Sequence, residues 1–382
     1  MKLRLPGPSN SRILYVGMMD IMGKDGGVNR AKSVIEDCLA LGHEVAFLCL
    51  TSGPPPECGF PVIAIPGTGP TSLLRLFVEV FKRARALGAR TVILSSFGNL
   101  LNPWLALLLQ IRGYMVLYDC QDPAIEMTSV LHRNGFAEML SRGAVSLFDG
   151  LLAANIDSVL SVSPGVDALL ISRGWSMPIF RFYNCNLGYR SSDESQLQPL
   201  LPLRAQAGWE DAVIVIYSGG LQPLFRGIEE QIAAVAHARQ NGRNVKLAIF
   251  GYGSPEPFRT AASEAGISDH IYFGGSVTRE QLRGYFGEAS CAILNMLPFA
   301  LPTKLFEYLV AGLDVFCSAA GKDVLAVCGD LVVPYTNSAE LADLLRRQRA
   351  RPKKDPVDVE ILMRRLLREN RANVANALKD SD

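Results

Sequence analysis

Apolar runs typical of β-strands alternate with helical patterns along most of this 382-residue chain. In the first half the strand-like runs are RILYVGMMD, EVAFLCL, TVILSS, MVLYDC, SVLSVS and PIFRFYN. In the second half they are AVIVIYSGG, VKLAIFGYG, HIYFGGSV, CAILNM, DVFCSAA and LVVPY. Short apolar strands separated by helices are typical of parallel sheets with helices on both faces. The sequence therefore predicts an α/β protein with two parallel sheets of about six strands each.

The alternation of strands and helices is interrupted near the middle of the chain. The segment NLGYRSSDESQLQPLLPLRAQAGWED is rich in serine, proline, glutamine and charged residues, which is typical of linkers. A chain of this length suits two hydrophobic cores better than one. We predict an N-terminal domain over 1–190 and a C-terminal domain over 191–352. Over 353–382 we predict an amphipathic helix that packs back on the N-terminal domain.

Composition excludes several classes of function. A net charge of +1 provides no electrostatic attraction for a polyanion, so nucleic acid is not an expected partner. The eight cysteines form no CxxC pair and mostly lie in apolar runs, which predicts buried, reduced thiols and no zinc site. MKLRLPGPSNSR lacks the apolar run of a signal peptide, and PWLALLLQI is about half as long as a bilayer span. We expect a cytoplasmic protein that does not cross the membrane.

One segment, TSLLRLFVEVFKRARALGAR over 71–90, leaves two interpretations open. Its apolar residues repeat at helical spacing opposite a basic face. The apolar positions are Leu73, Leu74, Phe77, Val80 and Phe81, and the basic ones are Arg75, Lys82, Arg83 and Arg85. A helix that covers a sheet and turns a solvated face outward accounts for this pattern. A helix that touches a membrane surface accounts for it as well.

Glycines follow the first predicted strand. Gly23, Gly26 and Gly27 precede a helix that begins near Val28. Glycines at such a place let the backbone approach a phosphate or a sugar, and a helix N-terminus favours an anion. The loop lacks the GxGxxG spacing of dinucleotide sites and the GK[ST] of P-loops, so an ordinary turn explains it equally well.

Two carboxylates lie where the fourth predicted strand ends, in DCQDP. Asp119 and Asp122 could hold a hydroxyl group or act as a base. The alternative is that Asp122 caps the turn before Pro123.

In the second half, two glycine loops follow successive strands. Gly219 and Gly220 precede a helix near whose start lies Arg226, a cation that suits a bound anion because it opposes the helix dipole. A solvated arginine is the alternative. After the next strand, Gly251 and Gly253 would let a base or ribose lie against the backbone.

The segment ALPTKLFEYLVAG places a carboxylate, Glu307, in a helix that is otherwise largely apolar. Because a buried carboxylate requires a partner, we expect either Lys304 or a pair of vicinal hydroxyl groups of a ligand. The amides around Ala300, Leu301 and Thr303, at the start of the helix, would bind an anion.

These motifs together resemble the GT-B glycosyltransferases, and within them glycosyltransferase family 4. The resemblance is carried by GKDGGVNRAKSVIEDCLALGHEV, SVLSVSPGVDALLISRG, YSGGLQPLFRGIEEQIAAV, LAIFGYG, IYFGGSV and LPTKLFEYLVAGLDVFCS. They span most of the chain in the family's order. The resemblance implies two Rossmann-like domains whose parallel sheets face each other across a cleft. It also implies that a nucleotide diphosphate sugar is held mainly by the C-terminal domain.

The resemblance further implies roles for the site residues. Glu307 would bind the ribose hydroxyls, and Arg226 would meet the diphosphate where the family usually has a lysine. The turn containing Ala300, Leu301, Thr303 and Lys304 would supply amides to the diphosphate. The rest of the donor site would be formed by six glycines, namely Gly26, Gly27, Gly219, Gly220, Gly251 and Gly253. The reaction would retain anomeric configuration. It would use no metal and no cofactor, because the nucleotide sugar is a co-substrate.

Three features depart from the family's pattern. Phe299 stands where the family often has a first glutamate, and Gln121 where it often has a histidine. Arg226 replaces a lysine, and Gly220 or Leu221 stands before it where the family commonly has an arginine. The leading interpretation is a glycosyltransferase in which Asp122, Arg226 and Glu307 serve catalysis and the acceptor is an unidentified hydroxyl compound. The pathway would be polysaccharide, glycolipid or glycosylated-metabolite synthesis. The first alternative is a degenerate nucleotide-binding or partner subunit, and the second is a sugar-nucleotide epimerase.

Overall fold

The computed structural model describes residues 11–22, 26–96, 101–121, 135–185, 202–206, 208–221, 227–296, 301–349 and 356–379. The chain forms two compact units. The first unit comprises Met1–Asn184 together with Leu366–Asp382, and the second unit comprises Cys185–Arg365. The chain thus enters the second unit before the predicted boundary at 190 and returns to the first after the predicted boundary at 352.

The first unit contains a seven-stranded sheet with the order β3-β2-β1-β4-β5-β6-β7. Its strands are β1 (Arg12–Asp20), β2 (Glu44–Thr51), β3 (Val62–Pro66), β4 (Thr91–Ser95), β5 (Met115–Cys120), β6 (Ser158–Ser161) and β7 (Ile179–Arg181). Neighbouring strands pair in parallel throughout. The sequence predicted six of them and missed β3, because this five-residue strand is bounded by prolines and a glycine that are typical of a loop.

Helices connect these strands and cover the sheet. They are α1 (Gly26–Ala40), α2 (Pro70–Leu87), α3 (Asn102–Ile111), α4 (Gly135–Ala153) and α5 (Pro164–Ser172). Strand β1 is buried at all seven of its inner positions, which agrees with a central strand covered on both faces. The core around it includes Tyr15, Phe47 and Leu117.

The chain's last described helix, α12 (Pro356–Lys379), contributes to the first unit. Val374, Ala377 and Leu378 belong to the same core cluster as Tyr15. The side-chain amide of Asn370, fully buried, accepts from the backbone N–H of Tyr183 at 2.7 Å and donates to its carbonyl at 2.9 Å. The helix therefore joins this unit through packing and through hydrogen bonds that lock its register.

The second unit contains a six-stranded parallel sheet with the order β10-β9-β8-β11-β12-β13. Its strands are β8 (Val213–Ser218), β9 (Val245–Phe250), β10 (Ile271–Gly275), β11 (Cys291–Leu294), β12 (Asp314–Ser318) and β13 (Val332–Tyr335). Its helices are α6 (Ile228–Gln240), α7 (Glu256–Glu264), α8 (Arg279–Glu288), α9 (Thr303–Val310), α10 (Lys322–Cys328) and α11 (Ser338–Arg347). All six of its strands were predicted from the sequence.

Strand order identifies where a ligand would bind in the second unit. The chain moves outward from β8 to β9 and β10, then returns to place β11 on the other side of β8. Open α/β sheets bind ligands beyond the carboxyl ends of their strands at such a reversal. The loops after β8 and β11 therefore flank the expected ligand position.

Two further expectations concern the cysteines and membrane-spanning helices. All eight cysteines are free thiols, seven of them buried and Cys58 half-buried. None of the helices in the described ranges is both long enough and apolar enough to span a bilayer.

Candidate functional site

Three glycine-containing loops stack beside one another at the carboxyl edge of the second sheet. The backbone N–H of Gly219 donates to the carbonyl of Phe250 at 2.9 Å, and that of Gly251 donates to the carbonyl of Gly275 at 2.8 Å. A Cβ atom on Gly251 would lie 1.7 Å from the carbonyl oxygen of Gly219, and its φ of 151° disfavours other residues. Gly251 is therefore required by backbone packing, whether or not a ligand lies there.

The other predicted glycines of this edge are also in close contact. A Cβ atom on Gly253 would lie 3.1 Å from Leu221, and one on Gly220 would lie 3.3 Å from the ring of Tyr252. Tyr252 is 58% exposed, so it presents an open aromatic surface beside Gly220. An exposed aromatic ring at this edge suits a planar or sugar ligand.

Helix α9 is anchored to the end of β8. The Tyr308 hydroxyl accepts from the backbone N–H of Ser218 at 2.9 Å and lies 3.0 Å from the Ser218 hydroxyl. Pro302 caps the helix in an extended conformation, and Leu301 before it is buried. These contacts bring the start of α9 to the reversal point of the sheet.

Lys304 lies in the first turn of α9, beside the loop after β8. Its ammonium lies 4.5 Å from the ring centroid of Tyr217, a cation–π contact. The Tyr217 hydroxyl donates to the carbonyl of Gly220 at 2.9 Å. A Cβ atom on Gly219 would lie 3.7 Å from the lysine ammonium. The structure thus brings together Gly219, Gly220 and Lys304, three of the residues predicted to bind a donor.

Glu307 lies one turn further along α9 and is largely buried, with 14% of its side chain exposed. Its Oε1 accepts from Nη2 of Arg279 at 3.3 Å. Burial raises the pKa of the Glu307 carboxyl, and the positive charges of Arg279, Lys304 and Arg283 oppose that rise. No other hydrogen bond to this carboxylate is formed within the described part of the chain.

The structure therefore corrects one of the two expected partners of Glu307, namely Lys304. The hydrogen bond comes from Arg279 on α8, whereas the Lys304 ammonium stacks on Tyr217. Sequence reasoning missed Arg279 because it precedes Glu307 by 28 residues and lies on another helix. A signal was present: Arg279 is the first residue of a helix that follows a strand, where a cation opposes the helix dipole.

A second carboxylate, Glu230, lies in the first turn of α6. Asn295, just after β11, donates to its Oε2 at 2.8 Å, and burial raises the pKa of Glu230. A Cβ atom on Gly227 would lie 2.1 Å from the Asn295 amide, so only glycine allows α6 to begin this close to β11. The sequence analysis did not select these three residues.

In the first unit, the predicted carboxylate Asp119 is wholly engaged in the protein interior. Nε of Arg30 donates to its Oδ1 at 2.7 Å, and the Tyr15 hydroxyl donates to its Oδ2 at 2.6 Å. Arg30 also donates to Asn184 at 2.9 Å and to the carbonyl of Phe182. The interpretation of Asp119 as a ligand-binding or basic residue is therefore wrong.

The remaining predicted residues divide into two groups. Gly26 and Gly27 are the first residues of α1, one turn before Arg30, so the helix begins two residues earlier than the predicted start near Val28. Asp122, Arg226 and Ala300 lie outside the described residues, as do Gly23 and Phe299. In the described ranges, no three or more His, Cys, Asp or Glu side chains are grouped as a metal site would require.

Comparisons with known proteins show what the second unit is similar to and which fold the whole chain has. Residues 212–348 match the family described as glycosyl transferases group 1. A sucrose-phosphate synthase from Thermosynechococcus elongatus is 18% identical, with a TM-score of 0.66 and coverage of 97% of each chain. The lipopolysaccharide outer core galactosyltransferase WaaB is 16% identical, with a TM-score of 0.63, over 97% of this chain and 99% of that one.

A third solved structure, the lipopolysaccharide glycosyltransferase WaaG, is 14% identical, with a TM-score of 0.61, over 97% of this chain and 98% of that one. A search of curated protein sequences finds no significant match. At such identities the structural likeness concerns the fold alone.

The chain therefore has the GT-B fold, and residues 212–348 of its second unit are similar to the glycosyl transferases of group 1. This confirms the resemblance and the fold class predicted from the sequence. Membership of family 4 is consistent with these findings and stays a prediction.

Proposed function

We propose that this protein transfers a sugar from a nucleotide diphosphate sugar to an acceptor hydroxyl, with retention of configuration and without a metal ion. The observation that supports this most directly is the arrangement on α9. Lys304 and Glu307 lie one turn apart at the point where the second sheet reverses its strand order. A cation and a carboxylate acceptor there match the two chemical halves of a nucleotide diphosphate, its charged phosphates and its ribose hydroxyls.

The proposed chemistry is stabilisation of a leaving diphosphate by fixed charges. Negative charge grows on the diphosphate as the sugar departs, and preorganised cations and amides stabilise it most in that state. In this proposal Lys304, Arg226 and the amides around Ala300, Leu301 and Thr303 supply the positive potential. The glycine loops let the nucleotide approach the backbone, and Asp122 serves the acceptor side.

The ribose role of Glu307 leads to a specific prediction. Glu307→Ala should weaken binding of a nucleoside diphosphate by about tenfold or more, because hydrogen bonds to a charged group contribute roughly 1.5 to 3 kcal/mol. The fold should persist, since the helix is anchored by Tyr308 and Leu305. Binding is measured by calorimetry against UDP, ADP and GDP, and folding by thermal unfolding.

A matched control separates the site from the general effect of losing a glutamate. Glu264→Ala removes a carboxylate from an exposed position on α7 of the same unit and should leave nucleotide affinity unchanged. Unchanged affinity in Glu307→Ala would refute the ribose role. A parent protein that binds nucleotide but neither transfers nor hydrolyses any nucleotide sugar would instead be a degenerate partner subunit.

We further propose that the acceptor is met at an anionic membrane surface, through α2. Leu74 and Val78, one turn apart on α2, are 66% and 59% exposed. Ile111, at the end of α3, is 70% exposed, and the neighbouring Arg112 lies 4.6 Å over the ring of Phe81 on α2. Exposed apolar side chains on two adjoining helices form a surface that is suited to the boundary between headgroups and acyl chains.

Charge on α2 complements an anionic lipid surface. Four basic residues lie on the helix, namely Arg75, Lys82, Arg83 and Arg85. The single acid, Glu79, forms ion pairs with Lys82 at 3.1 Å and with Arg83 at 2.7 Å. The helix thus keeps an excess of positive charge beside its exposed apolar residues, as peripheral membrane helices do.

A further inference from the structure

Arg279 begins helix α8 in a fixed position. The hydroxyl of Thr278 accepts from the backbone N–H of Gln281 at 3.3 Å, and the Gln281 side chain accepts from the backbone N–H of Thr278 at 2.9 Å. This capping box defines the first turn of the helix. From that turn the guanidinium reaches across to α9 and donates to Oε1 of Glu307 at 3.3 Å.

The contact between Arg279 and Glu307 leaves the two carboxylate oxygens of Glu307 in different environments. Of the two carboxylate oxygens of Glu307, Oε1 accepts from Arg279, and Oε2 receives no hydrogen bond within the described part of the chain. Glu307 is 14% exposed and Arg279 is 39% exposed, so the pair lies at the boundary between protein and solvent. One carboxylate oxygen is therefore held by the protein while the other is available to a hydroxyl group.

We propose that Arg279 is a positioning residue of the donor site, which orients the Glu307 carboxylate and keeps it ionised for the ribose hydroxyls. This inference rests on the proposed function and deepens its nucleotide site. An exposed arginine paired at 3.3 Å adds little to the stability of a fold, so stability alone gives no strong reason for the contact. A carboxylate that must accept hydrogen bonds from a ligand does give such a reason.

The charges around Glu307 support this role. Burial raises the pKa of Glu307, and Arg279 is the strongest of the groups that lower it, ahead of Lys304 on α9 and Arg283 on α8. Without Arg279, the carboxyl would take up a proton at a higher pH. A protonated carboxyl loses one of its acceptor sites and the charge that strengthens its hydrogen bonds.

The test compares nucleotide affinity as a function of pH in the parent and in Arg279→Ala. The probe is the strongest binder among UDP, ADP and GDP. Because the probe titrates identically with both proteins, its own ionisation cancels from the ratio of the two affinities. We expect the variant to bind severalfold more weakly in mild acid, with the difference shrinking at high pH, where Glu307 is ionised in both proteins.

Two variants sharpen this comparison. Arg279→Lys keeps the charge and should restore most of the parent's pH profile, whereas Arg283→Ala removes a more distant charge from the same helix and should shift the profile less. A ratio that stays constant across pH would overturn the proposal, because a merely structural arginine would act equally at every pH. Tighter binding by Arg279→Ala would overturn it as well, by showing that the guanidinium occupies the ribose position.

Failure of this inference is distinguishable from failure of the proposed function. If Glu307→Ala binds the nucleotide as well as the parent does, the ribose role itself fails. If Glu307→Ala binds weakly while Arg279→Ala has the parent's pH profile, only the role of Arg279 fails. Thermal unfolding of each variant confirms that the compared proteins are folded.

Discussion

At the scale of single residues, burial decides what an ionised group can do. Asp119 and Glu307 are both carboxylates near strand ends or helix starts that the sequence marked as candidates. Asp119 has 2% of its side chain exposed and is paired with Arg30, whereas Glu307 keeps one oxygen towards solvent. The sequence could not separate the two cases, because the partners Arg30 and Arg279 come from distant positions in the chain.

The buried pair should be essential to the stability of the first unit. Asp119→Ala leaves the Arg30 guanidinium, 1% exposed, without its counter-charge, and breaking such a pair costs about 3 to 5 kcal/mol. The control is Glu44→Ala, which breaks the Arg12–Glu44 pair at the amino ends of β1 and β2, where the side chains are 52% and 63% exposed. That change should cost about 1 kcal/mol or less. Urea unfolding measures both, and equal losses would contradict the assignment of Arg30–Asp119 as a buried pair.

Two glycines of the second unit, Gly251 and Gly287, differ in whether their surroundings leave space for a side chain. Gly251→Ala would place a Cβ atom 1.7 Å from the carbonyl oxygen of Gly219, so the strand ends must separate. We expect a loss of about 2 kcal/mol or more in the free energy of unfolding. Gly287→Ala, in helix α8, meets nothing within 4 Å and should stabilise by about 0.5 to 1 kcal/mol. Thermal unfolding compares the two, and a neutral Gly251→Ala would show that the loops can move apart freely.

At the scale of elements, hydrophobic periodicity predicted twelve strands and missed β3. The segment VIAIP lies between turn-forming residues and is too short to show a clear apolar period. Its pairing with β2 is what makes it a strand. Helix α2 illustrates the opposite case. Its pattern predicted a helix correctly, but the choice between a solvated face and a membrane-binding face depended on which apolar residues the fold buries.

The structure answers part of that question, because Leu76 and Val80 are buried while Leu74 and Val78 are exposed. Changing both Leu74 and Val78 to serine should reduce binding to vesicles that contain anionic lipid by about a hundredfold or more, since each apolar side chain contributes roughly 1.5 to 3 kcal/mol when fully inserted. Co-sedimentation with anionic and with neutral vesicles measures this. The control is Ile171→Ser on α5, which removes an apolar side chain that is 62% exposed elsewhere. Equal binding by all three proteins would contradict a membrane contact through α2.

At the scale of the whole molecule, the first unit is built from two separate parts of the chain, Met1–Asn184 and Leu366–Asp382. Helix α12 has its first part, to Arg365, in the second unit and its remainder in the first unit. The buried amide of Asn370 pairs with both backbone groups of Tyr183, and Arg371 pairs with Asp37 at 3.3 Å. The amphipathic pattern predicted that this helix packs on another part of the protein. Which part it packs on was decided by contacts with residues that are distant in the sequence, such as Tyr183 and Asp37.

What the sequence alone determined is the local structure and the class of the fold. Apolar runs, glycine loops and the LPTKLFEYLVAG segment were sufficient for two parallel sheets and for the group 1 resemblance, because strand propensity, turn chemistry and helix patterning are properties of neighbouring residues. Only the tertiary structure decided which carboxylate is buried with a partner and which is presented at the sheet edge. Burial and ion pairing join residues that are far apart in the chain, such as Arg30 with Asp119 and Arg279 with Glu307, and no local pattern records those distances.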